Sequence, residues 1–183
     1  MPKVGQAHLD ARRLQIVEAA RARFASHGFA RTSMADIVVE SGLSTGAIYR
    51  YFASKDELVI AVCEQGSAAL PEALTHDSVS AFLEHVRTLA REKGHARLVA
   101  QIYAEAALSP ALATIVNRQM SALRAAVAEL MKRDLPTCDI ERNTEAFVAV
   151  SIGYNQQLAV RGDVDPSPFV RALMALLEQR TTA

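Results

Sequence analysis

Apolar residues recur along most of this chain at three- and four-residue intervals, the spacing that stacks them on one face of an α-helix. From Ala11 to His27 the apolar positions Leu14, Val17, Ala20, Ala22, Phe24 and Ala25 fall mainly at that spacing. Arg12, Arg13, Arg21 and Arg23 fill much of the rest. Gly28 then stands where a helix ends on a residue able to take positive φ. A second helix is expected from Ser33, which forms a capping-box pattern with Asp36, and it ends before Gly42. Ser44 caps a third, which must end near Phe52. Ser54 caps a fourth, with Asp56 and Glu57 in the first turn, where the helix dipole favours acids. Pro71 interrupts or ends that helix.

Beyond residue 70 the predicted helices lengthen. Val79, Phe82, Leu83, Val86 and Leu89 make one, closed by Gly94. Leu98, Val99, Ile102, Tyr103 and Ala106 make the next, ending before Ser109-Pro110. Leu112, Ile115, Val116, Met120, Leu123, Val127 and Leu130 form a stripe that Pro136 stops. Residues 142–161 are apolar over much of the circumference, as in a helix buried on more than one side. Gly162 breaks it, and a last helix carries Phe169, Val170, Leu173, Met174, Leu176 and Leu177. The expectation is an all-α chain of nine helices, with residues 1–10 mobile, a first domain over 10–69 and a second over 70–183.

Composition agrees with helices: half of the 183 residues are hydrophobic, and there is no Trp. The formal net charge is zero, but it is unevenly spread. Residues 1–55 hold eight Lys and Arg against four Asp and Glu; the rest hold twelve against sixteen. That split points to a polyanion meeting the first part alone. Cys63 and Cys138 are not closely spaced and read as buried structural thiols of a reducing cytoplasm. No apolar run reaches the roughly 18–20 residues that span a bilayer, and MPKVGQAHLD lacks the apolar core of a signal peptide. A soluble cytoplasmic protein is expected. The five His residues are dispersed, and Glu84-His85 lacks the second His of a zinc motif. Neither a metal, a cofactor nor catalysis is predicted.

The helix of 33–41, the turn at Gly42 and the helix of about 45–52 have the proportions of a helix-turn-helix. Ile37, Leu43, Ile48 and Phe52 can close its small core. Thr45, Gly46, Tyr49 and Arg50 are left outward, where a recognition helix presents base-reading and phosphate-reading groups. Spacing alone leaves open a helical hairpin whose tyrosines merely pack.

The stretch 24–58, FASHGFARTSMADIVVESGLSTGAIYRYFASKDEL, resembles the N-terminal domain of the TetR family of bacterial transcriptional regulators. The matching positions are Phe24, Gly28-Phe29, Thr32-Ser33, Asp36-Ile37, Gly42-Leu43-Ser44, Tyr49, Tyr51-Phe52, Lys55 and Leu58. One departure is Val38-Val39-Glu40-Ser41, where the pattern usually has small residues, mostly Ala. The resemblance implies a homodimer on a palindromic DNA operator, usually a repressor released by a small ligand. By position, Thr45 and Gly46 would face bases. Ser33, Ala47 through its backbone, Tyr49, Arg50, Tyr51 and Lys55 would contact phosphates. Arg31 lies close enough to join them. Arg12 and Arg13 read instead as a solvated face.

The resemblance also implies pairing of the last two helices, about 145–160 and 167–178, with their mates, where Gly153 permits close approach. A ligand cavity among the fifth to eighth helices would draw on Phe82, Val86, Tyr103, Met120, Phe147 and Tyr154. Gln101, Asn117, Asn155 and Gln156 are its polar candidates. That lining suits a mostly apolar small ligand, and a shift at Ala61–Leu70 would carry its signal. The alternative reading is a helical small-molecule-binding or thiol-redox sensor, with Cys63 as the thiol and an N-terminal module that contacts protein.

Overall fold

The computed structural model describes residues 5–65, 69–135 and 139–177. Among these residues there are nine helices and no strand. They fall into two compact units, Met1–Gly66 and Ser67–Ala183.

The first unit contains α1 (Gln6–His27), α2 (Met34–Ser41), α3 (Thr45–Tyr49) and α4 (Lys55–Gln65), with α2 and α4 packed on α1. Helix α1 begins earlier than expected, so Gln6–Asp10 are helical. Its buried face is Ile16, Val17, Ala19, Ala20 and Phe24, while Leu14 remains 46% exposed. The predicted stripe missed this because Ala22 and Ala25 are small enough to sit in water at little cost. Phe24 meets Phe29 edge-on at 5.3 Å. Arg21 donates to the Val62 carbonyl at 2.8 Å, tying α1 to the end of α4. Helix α4 is over by Ala69, two residues before Pro71, so the proline does not end it. Residues 66–68 of the expected lever, and Pro136 with Cys138, lie outside the described residues.

The second unit contains α5 (His76–Lys93), α6 (His95–Ala106), α7 (Pro110–Asp134), α8 (Ile140–Arg161) and α9 (Ser167–Leu177). Helix α8 is central and packs against the other four. Its buried side chains Phe147, Val148, Tyr154 and Leu158 join Val79 and Leu83 of α5, Val127 and Met131 of α7, and Val170 and Leu173 of α9 in one apolar cluster. The Tyr154 hydroxyl, buried inside it, donates to the Val164 carbonyl at 3.0 Å. Arg87 of α5 grips the same connection from outside, its Nε on Asp163 Oδ1 at 2.5 Å and Nη2 on Oδ2 at 2.9 Å. That bidentate pair fixes the path from α8 into α9.

Candidate nucleic-acid interface

Helix α2 starts on a complete capping box. Ser33 N donates to Asp36 Oδ2 at 2.8 Å, and Asp36 N donates to Ser33 Oγ at 3.2 Å. The Ser33 hydroxyl and then its amide, both donating to the carboxylate, hold Asp36 below the usual carboxylate range. Arg23 of α1 adds a 3.5 Å ion pair to the other oxygen. Gly42 closes α2 at φ +66°, a left-handed conformation, which turns the chain directly into α3. Ser44 caps α3 by accepting from Ala47 N at 3.3 Å. Ile48 is fully buried and Phe52 nearly so, while Arg13 lies over the Phe52 ring at 5.2 Å. Helix α3 runs only over Thr45–Tyr49, shorter than the predicted 45–52, because Arg50 and Tyr51 form a turn.

That seating leaves Thr45, Gly46, Tyr49 and Arg50 exposed, with Tyr51 half-buried beside them. A Cβ added at Gly46 would meet nothing within 4 Å, and its backbone is ordinary helix. The glycine is therefore not required by the chain's own packing.

Four of the predicted phosphate donors are engaged within the unit. The Ser33 hydroxyl donates to Asp36 at 2.7 Å, and Ala47 N donates to the Ser44 carbonyl at 3.0 Å. Arg31 Nε donates to the His27 carbonyl at 2.9 Å. The Lys55 ammonium donates to the Phe29 carbonyl at 3.0 Å and lies 4.2 Å above the Phe29 ring. Lys55 thus pins the α1–α2 connection with one of its three donors. Sequence reasoning also passed over α1 itself. His8, Leu9 and Arg12 share a groove of about 320 Å³ with Gly42, Leu43, Ser44, Ala47, Arg50 and Tyr51.

The ligand candidates of the second unit divide. Phe82 stacks on Phe147 at 6.0 Å, and Val86 and Tyr154 belong to the same apolar assembly. Tyr103 and Met120 form a separate pair, hydroxyl to sulfur at 2.7 Å. Gln101 and Asn117 are exposed on α6 and α7, which corrects their assignment to a lining: each lies on the polar side of its helix. The buried polar residues of this unit are instead His95 at the start of α6 and Asn143 and Thr144 near the start of α8, 8%, 1% and 5% exposed. The periodicity gave no sign of them, because they precede the apolar run. Among the described residues no three His, Cys, Asp or Glu side chains are grouped to hold a metal, and no helix is long and apolar enough to cross a membrane.

A capped helix, a left-handed glycine and a short second helix seated on the same core define a helix-turn-helix protein. Residues 16–62 match the family described as bacterial regulatory proteins, tetR family. The chain is 40% identical over 86 residues to the uncharacterized HTH-type transcriptional regulator YfiR of Bacillus subtilis, a match covering 45% of this chain and 42% of that one. It is 40% identical over 65 residues to the HTH-type transcriptional repressor Rv1474c of Mycobacterium tuberculosis, covering 36% of this chain and 35% of the relative. These alignments span less than half of the curated relatives' length. Salmonella enterica GusR has the same fold over 97% of this chain and all of its own, with a TM-score of 0.74 at 23% identity. The likeness to the tetR family of bacterial regulatory proteins thus rests on residues 16–62 in the first unit, and the likeness of the whole chain to GusR is one of fold.

Proposed function

We propose that the chain is a cytoplasmic, ligand-responsive transcriptional repressor that binds a palindromic operator as a homodimer and is released by a small, mostly apolar ligand. The observation that carries the DNA reading is the tip of α3. A glycine with open space stands beside an exposed Thr45, on a helix whose other face is fixed by Ile48 and whose start is capped by Ser44. Glycine in a helix interior costs about 0.5–1 kcal/mol relative to alanine, so close approach of another molecule is a reason for its presence. Thr45 and Gly46 then face bases, and Tyr49, Arg50 and Tyr51 face phosphates. Lys55, Ser33, Arg31 and the Ala47 amide reach phosphates only by sharing or exchanging their present partners. The name of the Mycobacterium tuberculosis relative supports the repressor reading.

Dimerisation is supported by the outer side of α8. Val150, Gly153 and Gln157 line an open groove with Pro168, Phe169 and Ala172 of α9, and Val160 is 85% exposed one turn on. A Cβ at Gly153 would meet nothing within the chain. A second copy laid there with two-fold symmetry buries these apolar positions, placing two recognition helices to read half-sites one helical turn or a multiple apart. The Phe82–Phe147 stack and its apolar surroundings support an apolar effector. Burial pushes the Cys63 thiol up to about 11, which leaves little thiolate for a redox sensor.

The experiment is salt-dependent binding to a duplex selected on the full chain from a random-sequence pool. Thr45→Ala is expected to relax base preference, and Tyr49→Ala to weaken every duplex alike. Wild-type binding that ignores salt and sequence would falsify the DNA reading.

A further inference from the structure

The groove between α1 and the helix-turn-helix belongs to neither core. Its walls are His8, Leu9 and Arg12 from the first two turns of α1, Gly42, Leu43 and Ser44 from the turn, and Ala47, Arg50 and Tyr51 from the α3 side. Two guanidinium groups line it and no carboxylate does. Asp10, the acidic residue nearest in sequence to its α1 wall, accepts from the Gln6 amide at 2.9 Å and is not part of the lining. Arg12 is half-buried and held in place: its Nη1 donates to Gln15 Oε1 at 2.9 Å, and Gln15 Nε2 donates to the Ser41 carbonyl at 2.8 Å. This relay fastens the early part of α1 to the last residue of α2, so Arg12 keeps its position relative to the Gly42 turn. One of five guanidinium donors serves Gln15. Leu9 and Leu43 are half-buried.

From this we infer that the groove seats one phosphodiester of the operator backbone, with Arg12 and His8 as additional phosphate contacts and Leu9 and Leu43 against the adjoining deoxyribose. The inference rests on the DNA-binding reading above and extends it from the helix-turn-helix to α1. Charge complementarity selects the occupant: a backbone strand already met by Arg50 and Tyr51 continues into a groove whose far wall is Arg12. The contact carries no base information. Its loss therefore weakens all sequences equally.

The test compares the full-length chain with Arg12→Gln, Arg12→Lys and Leu9→Glu. Each is titrated over a range of KCl concentrations against the duplex selected on the wild-type chain and against a shuffled duplex of equal length. Arg12→Gln is expected to lose on the order of tenfold on both duplexes, and its log–log salt slope becomes shallower by about 0.9 per protomer. Arg12→Lys keeps the charge and recovers the slope. Leu9→Glu, which adds an anion to the floor, weakens both duplexes without lowering the melting temperature. A wild-type slope in Arg12→Gln overturns the inference while leaving the DNA reading intact, and so does a slope in Arg12→Lys as shallow as that of Arg12→Gln. Loss of the selected duplex alone overturns it too, because a phosphate contact does not distinguish sequences. If the wild-type chain itself binds no duplex in a salt-dependent way, both readings fall together.

Discussion

The two units are held together by different means. In the first, three of the four helices are short, and the ends of α2 and α3 and the connection from α1 are specified by named polar atoms: the Ser33–Asp36 box, the Ser44 cap, Gly42 at positive φ, and Lys55 on the Phe29 carbonyl. In the second, four of the five helices are longer than any of α2, α3 and α4, and their order follows from one apolar cluster centred on α8. Specific polar bonds there serve mainly to fix connections, as Tyr154 and Arg87 do for the stretch before α9. A surface that must present side chains at fixed positions needs its backbone directions set bond by bond. An apolar assembly tolerates exchange of one side chain for another of similar volume. The first unit is therefore sensitive to changes of residue type at exposed positions, and the second to changes of volume at buried ones.

The sharpest challenge to that contrast is truncation at a buried ring. Phe147→Ala should cost about 3–5 kcal/mol in urea unfolding, as expected for a fully buried phenylalanine. A loss below about 1 kcal/mol would mean that the α8 cluster is not what orders its helices. Tyr154→Phe comes next: it leaves the Val164 carbonyl without its donor, for a loss of about 1–3 kcal/mol. Unchanged stability would show the apolar packing alone to be sufficient there. In the first unit, Gly42→Ala introduces no clash but forces alanine into a left-handed turn, for a loss of about 1–2 kcal/mol. Gly46→Ala works in the opposite direction. It should raise stability by about 0.5–1 kcal/mol, because the site is helical and open, while weakening binding to the selected duplex. A glycine change that lowered both would place Gly46 in the fold and not at the interface.

A last test is alkaline pH. Burial pushes the Cys63 thiol up to about 11 from an ordinary 9.0, and the Tyr154 phenol up to about 12 from 10.0. Each group holds its proton more tightly folded than unfolded. Stability is therefore intact below the unfolded values, and it declines as pH rises from about 9 towards 11 for the thiol and from about 10 towards 12 for the phenol. Urea midpoints measured against pH should show a shallower decline over the first range in Cys63→Ser and over the second in Tyr154→Phe. Identical slopes in parent and variants would remove these two groups as the cause.

How far the sequence could be read follows the same division. The caps at Ser33, Ser44 and Ser54 and the turn at Gly42 were legible because each requires particular residue types at fixed offsets. Helix existence in the second unit was legible from periodicity. Which polar residues are buried there was not: Gln101 and Asn117 lie inside apolar stretches yet face outward, while Asn143 and Thr144 sit at a helix start and face inward. Periodicity assigns a face to a helix but does not say which neighbour covers it. The α1 groove was hidden for another reason. Arg12 and Gly42 are thirty positions apart, and only the packing of α1 on α2 brings them to one wall.

The two glycines that lie within helices among the described residues, Gly46 in α3 and Gly153 in α8, share an uncommon condition: neither needs its backbone freedom, and neither has a neighbour that a methyl group would strike. A variant library ranked by melting temperature alone would therefore replace both with alanine among its first improvements. On the proposed function, which sets Gly46 against DNA and Gly153 against a second copy, such a protein would survive heating better while losing, at one position, its approach to the operator and, at the other, its approach to its twin. Thermal selection and functional selection would thus pull in opposite directions at the same two codons.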